Sequence, residues 1–367
     1  MKVKYVLLLI FTLVFIAGCS SQEFIETEQK RVITSSLQSP WGMAFINEEK
    51  TQMLITQRRG ELKLFDLETQ ELMDILGVPE VVNSGQGGLL DVDFNEGFVY
   101  LTYSASGNNG GTATHVGRGE LDVEEFRLDN FEILRVVEPF MSGGAHFGSR
   151  VLVVDEYIFV TTGDRGSKDF SENHPSQNTS NEIGVIMRLY KNGSIPPYNP
   201  YVGFEGFIDS IYTYGHRNIQ GIMQYEDEIF VSGHGEQDGD MIHKLVEGGN
   251  YGWPLVHYGC TYGLGREIGG FAHERDDIIN PLHYWECGSG GFPPAGMDVF
   301  NDKLYVGNLR GQYVGEFEFI RDEENIIIGL EEVGKYVEGE RIRDVMRFEG
   351  GVYVLTDSGK LIQVNLN

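Results

Sequence analysis

The chain has 367 residues, 41% of them hydrophobic, so a sizeable core is available to it. Its 55 acidic residues against 28 basic ones give a net charge of -27, a surface that repels nucleic acid and anionic headgroups and argues against nucleic-acid binding. The 48 glycines against 11 prolines indicate many tight turns, not a disordered Pro/Gly tract.

Residues 1–18 read as a leader and not as part of the fold. Lys2 and Lys4 give it a basic start, and an apolar run follows from Tyr5 to Ile16. Ile16-Ala17-Gly18-Cys19 then resembles a bacterial lipobox, with cleavage before Cys19. The apolar run is too short to be a comfortable membrane span. The expectation is an exported protein lipidated at Cys19, with a polar tether over residues 19–30 and a single domain over residues 31–367. Its only membrane attachment would be that lipid anchor at the cell envelope, on the periplasmic or extracellular face. Cys260 and Cys287 remain, both in Gly-rich loops. Export to an oxidising compartment favours a disulfide between them over two free thiols.

Along the rest of the chain, one two-strand unit recurs six times. The first strands read Gly42 to Phe45, Gly88 to Phe94, Gly148 to Val154, Gly221 to Tyr225, Gly296 to Phe300 and Asp344 to Phe348. Each is followed by a turn and a second strand: Met53 to Thr56, Val99 to Thr102, Ile158 to Thr161, Ile229 to Ser232, Leu304 to Gly307 and Val352 to Leu355. Turn residues such as Asn95-Glu96-Gly97 and Asn301-Asp302 make each pair a hairpin. The second strands recur at intervals of 46 to 75 residues, enough for a four-stranded blade plus loops at Asn108 to Gly119, Ser167 to Gly206 and Val256 to Gly291. No segment sustains a 3.6-residue apolar period, so almost no helix is expected. The prediction is an all-β, six-bladed β-propeller of four-stranded antiparallel blades, whose closure leaves no exposed sheet edge.

In such a ring the residues leading into each innermost strand meet at one mouth of the central channel. Those positions are Trp41, Gln86, His146, Arg217-Asn218, Pro293-Pro294 and Arg341 with Arg343. Cationic and hydrogen-bonding groups concentrated there, on an acidic protein, mark a candidate site for an anionic ligand. The arginines suit carboxylates, because a guanidinium binds them bidentately. His146 is the one imidazole at this phase and the natural general base. Gln86 and Asn218 can orient a hydroxyl or carbonyl. The Gly- and acid-rich run Gly233 to Asp240 suits Ca²⁺ in composition but lacks EF-hand spacing, so an acidic turn is the alternative. Asp164-Arg165-Gly166 is a further channel-facing turn, or an internal ion pair.

At these residues the chain resembles the soluble PQQ-dependent aldose dehydrogenases, the glucose/sorbosone dehydrogenase family of six-bladed propellers. The resemblance rests on Ser39 to Phe45, Gly85 to Leu90, His146 to Arg150, Thr161 to Gly166, Tyr214 to Gly221, Gly248 to Pro254, Val306 to Gln312 and Arg341 to Val345. It implies oxidation of an aldose to its lactone, with PQQ and Ca²⁺ as cofactors and an external electron acceptor. His146 would then be the base and Arg217 would stabilise charge developing on the quinone. Asn218, Gln86, Arg310, Arg341 and Arg343 would hold the cofactor, with Trp285 flanking its rings. Gln86 and Asp164 would face the sugar, and the backbone carbonyls of Gly235 and Glu236 would hold Ca²⁺. The chain departs from the family pattern at Glu236, where Pro is common, at Ala145, where some members carry Asp, and in the longer Gly288 to Pro294 segment. The alternative function is a propeller of the same lineage that binds a carbohydrate or protein without catalysis.

Overall fold

The computed structural model describes residues 29–107 and 110–366. The leader, Cys19 and nearly all of the expected tether lie outside the described residues. Strand β1 (Gln29–Thr34) already includes the last two tether positions. The first blade holds β2 (Pro40–Phe45), β3 (Gln52–Gln57), β4 (Glu61–Asp66) and β5 (Leu72–Ile75). The second holds β6 (Leu89–Asn95), β7 (Phe98–Ser106), β8 (Thr112–Asp122) and β9 (Arg127–Val136). The third holds β10 (Gly148–Val154), β11 (Tyr157–Thr162), β12 (Val185–Tyr190) and β13 (Ile211–Tyr214). The fourth holds β14 (Ile219–Tyr225), β15 (Glu228–Gly233), β16 (Met241–Lys244) and β17 (His283–Tyr284). The fifth holds β18 (Pro294–Phe300), β19 (Lys303–Asn308), β20 (Tyr313–Arg321) and β21 (Ile327–Tyr336). The sixth holds β22 (Ile342–Phe348), β23 (Gly351–Thr356) and β24 (Leu361–Asn365), completed on its outside by β1.

Each predicted hairpin is the inner pair of a blade, and the six innermost strands contact one another in a closed ring. The two ends of the described chain meet in the sixth blade, where Gln29 pairs with Asn365 and Val32 with Ile362. This clasp joins first strand to last, so the ring is held shut by backbone hydrogen bonds. The core lies between blade faces. Leu54 and Leu64 of the first blade pack with Leu89 and Leu101 of the second, and Met223 and Phe230 of the fourth pack with Met297 and Phe317 of the fifth.

The hydroxyls that end the second strands have a structural task. Thr56 donates to the Leu90 carbonyl, Thr102 to Ser149 (2.7 Å), Thr161 to Ile219 (3.4 Å) and Ser232 to Ala295 (3.4 Å), each across to the next blade. Carboxylates do the same on the inner strands. Asp91 accepts from the Val151 amide at 2.9 Å, Asp298 from Arg347 at 2.8 Å and Asp344 from Met43 at 3.0 Å. Arg150 sits at the channel axis, bonded to Asp91 (3.0 Å), Asp344 (3.1 Å) and the carbonyls of Gln220 (2.7 Å) and Arg343 (2.9 Å).

Two 3₁₀ turns, Pro175–Gln177 and Ala272–Glu274, are the only helical elements among the described residues. The expected loop from Asn108 to Gly119 is a correction: from Thr112 onward it is strand β8. Gly117 and Gly119 hide the alternation there, because both give their side-chain space to the Phe131 ring of β9. Strand β12 likewise interrupts the expected loop from Ser167 to Gly206.

Candidate active site at the channel mouth

His146 precedes β10 in a left-handed backbone conformation, φ 48°, which favours glycine and is strained for a histidine. The Gln86 side chain accepts its amide at 2.8 Å. Its Nδ1 lies 2.6 Å from Asp164 Oδ1. With Nδ1–H donating to the carboxylate, Nε2 is left with a free lone pair, the state a general base needs. Asp164 also accepts from the Gly166 amide (2.8 Å) and from Trp253 Nε1 (2.9 Å). Burial pushes the Asp164 carboxyl up, but the His146 hydrogen bond, the charges of His146 and Arg217 and the Gly166 amide outweigh it and hold it below the usual carboxylate range.

Asp164 is therefore a correction to the substrate-facing role expected of it. It is fully buried and turned onto the imidazole. Ala145 has no group to orient the ring; Asp164 does so from the turn after β11.

Arg217 lies in the segment between β13 and β14, its guanidinium 5.3 Å from the centre of the Trp253 ring. Nη2 meets Glu236 Oε2 at 2.5 Å, Nη1 reaches the His234 carbonyl only at 3.4 Å, and buried Nε has no partner. Asn218 Oδ1 accepts the Gly148 amide at 3.1 Å, which ties this segment to the His146 segment. His234 donates from Nε2 to the Pro294 carbonyl at 2.7 Å, and burial pushes its pKa down to about 3, so it stays neutral.

Beside these groups opens a cavity of 240 Å³ walled in part by Gln86, Asn218, Arg58, Arg341 and Arg343. Arg341 Nε bonds Asp357 at 3.0 Å, and Arg343 grips the same carboxylate at 2.9 and 3.1 Å. Burial raises the Asp357 carboxyl, but the two arginines more than offset it and leave it below its ordinary value. Arg58 donates to the Gly85 carbonyl at 2.8 Å, and its Nε is buried without a partner. Three guanidiniums against one carboxylate leave the cavity electropositive, as an anionic ligand requires.

Arg58 and Asp357 were not read from the sequence. Both follow the second strand of their blade, as Asp164 does, and that shared phase was the available signal. His146 and Arg217 flank the cavity without lining it, and two of the residues expected to hold the cofactor do not line it either. Arg310 is largely exposed and reaches only Asp238, at 3.4 Å. Trp285, expected beside the cofactor's rings, is half-buried away from this lining: it stacks on Phe292 at 4.4 Å and packs edge-on against Phe317, against the core between the fourth and fifth blades.

In the run from Gly233 to Asp240 the acidic side chains are already engaged. Asp238 accepts the Gly288 amide (2.8 Å), and Asp240 accepts those of Gly235 (3.0 Å) and Phe292 (2.8 Å). Burial raises the Asp240 carboxyl to about 6. Among the described residues no group of three or more His, Cys, Asp or Glu is placed to hold a metal. The carbonyls of Gly235 and Glu236, however, accept no hydrogen bond among the described residues, so two backbone oxygens remain for a hard cation. The expected disulfide joins Cys260 to Cys287, Cα atoms 5.5 Å apart, and Cys260 pairs with Gln237 through two backbone bonds of 2.9 and 3.0 Å. The bridge thus braces this loop from behind.

A model of the family described as Glucose / Sorbosone dehydrogenase matches residues 37–363. The aldose sugar dehydrogenase YliI of Escherichia coli is 30% identical over 361 residues, 92% of this chain and 93% of the relative. The crystal structure of the soluble aldose sugar dehydrogenase of E. coli in its apo form superposes with a TM-score of 0.82 at 30% identity, over 92% of this chain and 99% of that one. The PQQ-bound aldose sugar dehydrogenase of Streptomyces coelicolor shares the fold, with a TM-score of 0.72 at 22% identity over 91% of this chain and 97% of that one. The six blades, the arginine-walled mouth and a match over nearly the whole propeller agree: the chain belongs to the glucose/sorbosone dehydrogenase family.

Proposed function

We propose that the protein is an exported, lipid-anchored dehydrogenase that oxidises an aldose to its lactone with PQQ and Ca²⁺ as cofactors. The observation that carries this reading is the His146–Asp164 pair at 2.6 Å, set beside a cavity lined by Arg58, Arg341 and Arg343. A base poised at the edge of an anion-binding cavity suits proton removal from a sugar hydroxyl next to a polycarboxylate cofactor. The relatives named as aldose sugar dehydrogenases support the substrate class, and the PQQ-bound propeller of the same fold supports the cofactor.

The arginines would hold the cofactor's carboxylates, with Asn218 and Gln86 beside them. The free carbonyls of Gly235 and Glu236 would hold Ca²⁺. When bound, the quinone would supply the hydride acceptor, from which an external acceptor would take the electrons. His146 Nε2 takes the proton of the anomeric hydroxyl, while Asp164 fixes the tautomer and steadies the imidazolium that forms. Arg217 contributes positive charge where negative charge develops.

Reconstitution tests this directly. The apo-protein is titrated with PQQ and CaCl₂, and dye reduction is followed with a panel of aldoses. The expected result is saturable, calcium-dependent reduction with at least one aldose. No PQQ binding at micromolar concentration would remove the proposal.

A further inference from the structure

Glu236 is a buried carboxylate held between two cations. One oxygen meets Arg217 Nη2 at 2.5 Å and the other is in close contact with Lys168 Nζ. Its own amide donates to His257 Nε2 at 3.0 Å, which fixes the backbone from which the side chain projects. Arg217 has no other short partner, since Nη1 reaches a carbonyl at 3.4 Å and Nε reaches nothing. The direction of the guanidinium is therefore set by Glu236. Lys168 lies four residues past Asp164, on the segment that carries the imidazole's partner, and its ammonium sits 5.7 Å from the centre of the Tyr262 ring. One carboxylate thus joins the His146–Asp164 arm of the site to the Arg217 arm.

We propose that Glu236 is a positioning residue, which aims Arg217 into the site and, with Lys168, sets the charge that the site presents to an anionic cofactor. The proposal rests on the quinone-dependent reading above for the identity of that anion. A buried carboxylate beside the one arginine it anchors lowers the local positive potential, and the ammonium on its other oxygen partly restores it. Changing the two partners should therefore move anion affinity in opposite directions. A glutamate that served folding alone would weaken binding and stability together.

The test titrates apo wild type, Glu236→Gln and Lys168→Met with PQQ in the absence of divalent cation, following tryptophan fluorescence. Glu236→Gln is expected to bind PQQ roughly tenfold more tightly, and Lys168→Met several-fold more weakly. With PQQ and CaCl₂ saturating, Glu236→Gln should lose about tenfold or more in kcat with KM for the sugar little changed, because Arg217 is no longer aimed. A thermal-unfolding cycle of Glu236→Gln, Arg217→Met and the double variant gives a second readout that needs no cofactor. Strong coupling, with the double variant melting higher than the sum of the single losses predicts, supports the pairing. Additive losses overturn it, as does a Glu236→Gln protein that binds PQQ more weakly in step with a lower Tm. If wild type binds no PQQ with CaCl₂ present either, the quinone reading fails on its own, and the cycle then decides whether Glu236 holds Arg217.

Discussion

Two places on the channel axis place arginine against carboxylate, and they differ in how completely the arginine is used. At the centre, every nitrogen of the Arg150 guanidinium group is bonded, to Asp91, Asp344 and two carbonyls. Those two carboxylates each also accept an amide from a neighbouring blade. At the mouth, buried Nε atoms of Arg58 and Arg217 have no partner, and the imidazole of His146 is held only through Nδ1. The same residue types make a closed fastener in one place and an open receptor in the other. Burial and ion pairing do not separate the two; unfilled hydrogen-bonding capacity does.

Substitution on both sides of this divide should sharpen it. His146→Gln removes the base and keeps the amide that Gln86 holds. It is expected to lower kcat by about 10²–10⁴-fold while PQQ affinity and Tm stay near wild type. Arg150→Met leaves Asp91 and Asp344 buried without their cation, a loss of about 3–5 kcal/mol in stability. Thermal melting and steady-state kinetics on the same preparations check both. If Arg150→Met were as stable as wild type, the central cluster would not be the fastener its geometry describes.

A smaller effect is expected inside the open site. Asp164→Asn removes the charge that steadies a protonated His146, and its amide can present a donor to Nδ1, which favours the wrong tautomer. Turnover should fall by roughly 10–100-fold, with sugar KM changed much less. Unchanged turnover would show that Asp164 supports the loop and not the base.

The six hairpins were legible because strand alternation and turn chemistry are local. Their phase also brought out His146, Gln86, Arg217, Asn218, Arg341 and Arg343. Asp357, Arg58 and the true role of Asp164 were not read, although the same geometry implies them. In an antiparallel hairpin the residue entering the first strand lies beside the residue leaving the second, as Gly148 pairs with Thr162. The channel mouth therefore has two rings of positions, one entering the first strands and one leaving the second. Closure through β1 was illegible for another reason, since pairing Gln29 with Asn365 joins opposite ends of the chain. Trp285 lies outside the repeat, so its sequence position carried no phase, and the aromatic core around Phe292 claimed it. Glu236 is marked in the sequence by its carbonyl and by standing where Pro is common, and its side chain's ion pair with Arg217 was illegible because tertiary packing alone sets it.

The two regions should also answer oppositely to acid. Burial raises the carboxyls of Asp91 and Asp344 despite Arg150, so between about pH 4 and their raised values the folded state binds protons that the unfolded chain, with an ordinary carboxyl near 4, does not. Their contribution to stability is greatest in acid and is lost as pH rises. Behind Arg217, burial lowers His243 and His257 to about 3. Below about pH 6.5 the unfolded chain protonates these rings and the folded state does not, so their effect is to destabilise the fold as pH falls. His243 packs edge-on against Tyr251 at 4.9 Å, a place that Phe can take with little change of shape. At pH 5, a ring held neutral with a pKa near 3 costs about 2 kcal/mol relative to pH 7.5. His243→Phe should remove that share, so its loss of stability between pH 7.5 and pH 5 is smaller than that of wild type by about this amount. Denaturant unfolding at the two pH values measures it. An equal loss in both proteins would mean that His243 takes a proton in the folded state, and that the wall behind Arg217 is wetter than its burial describes.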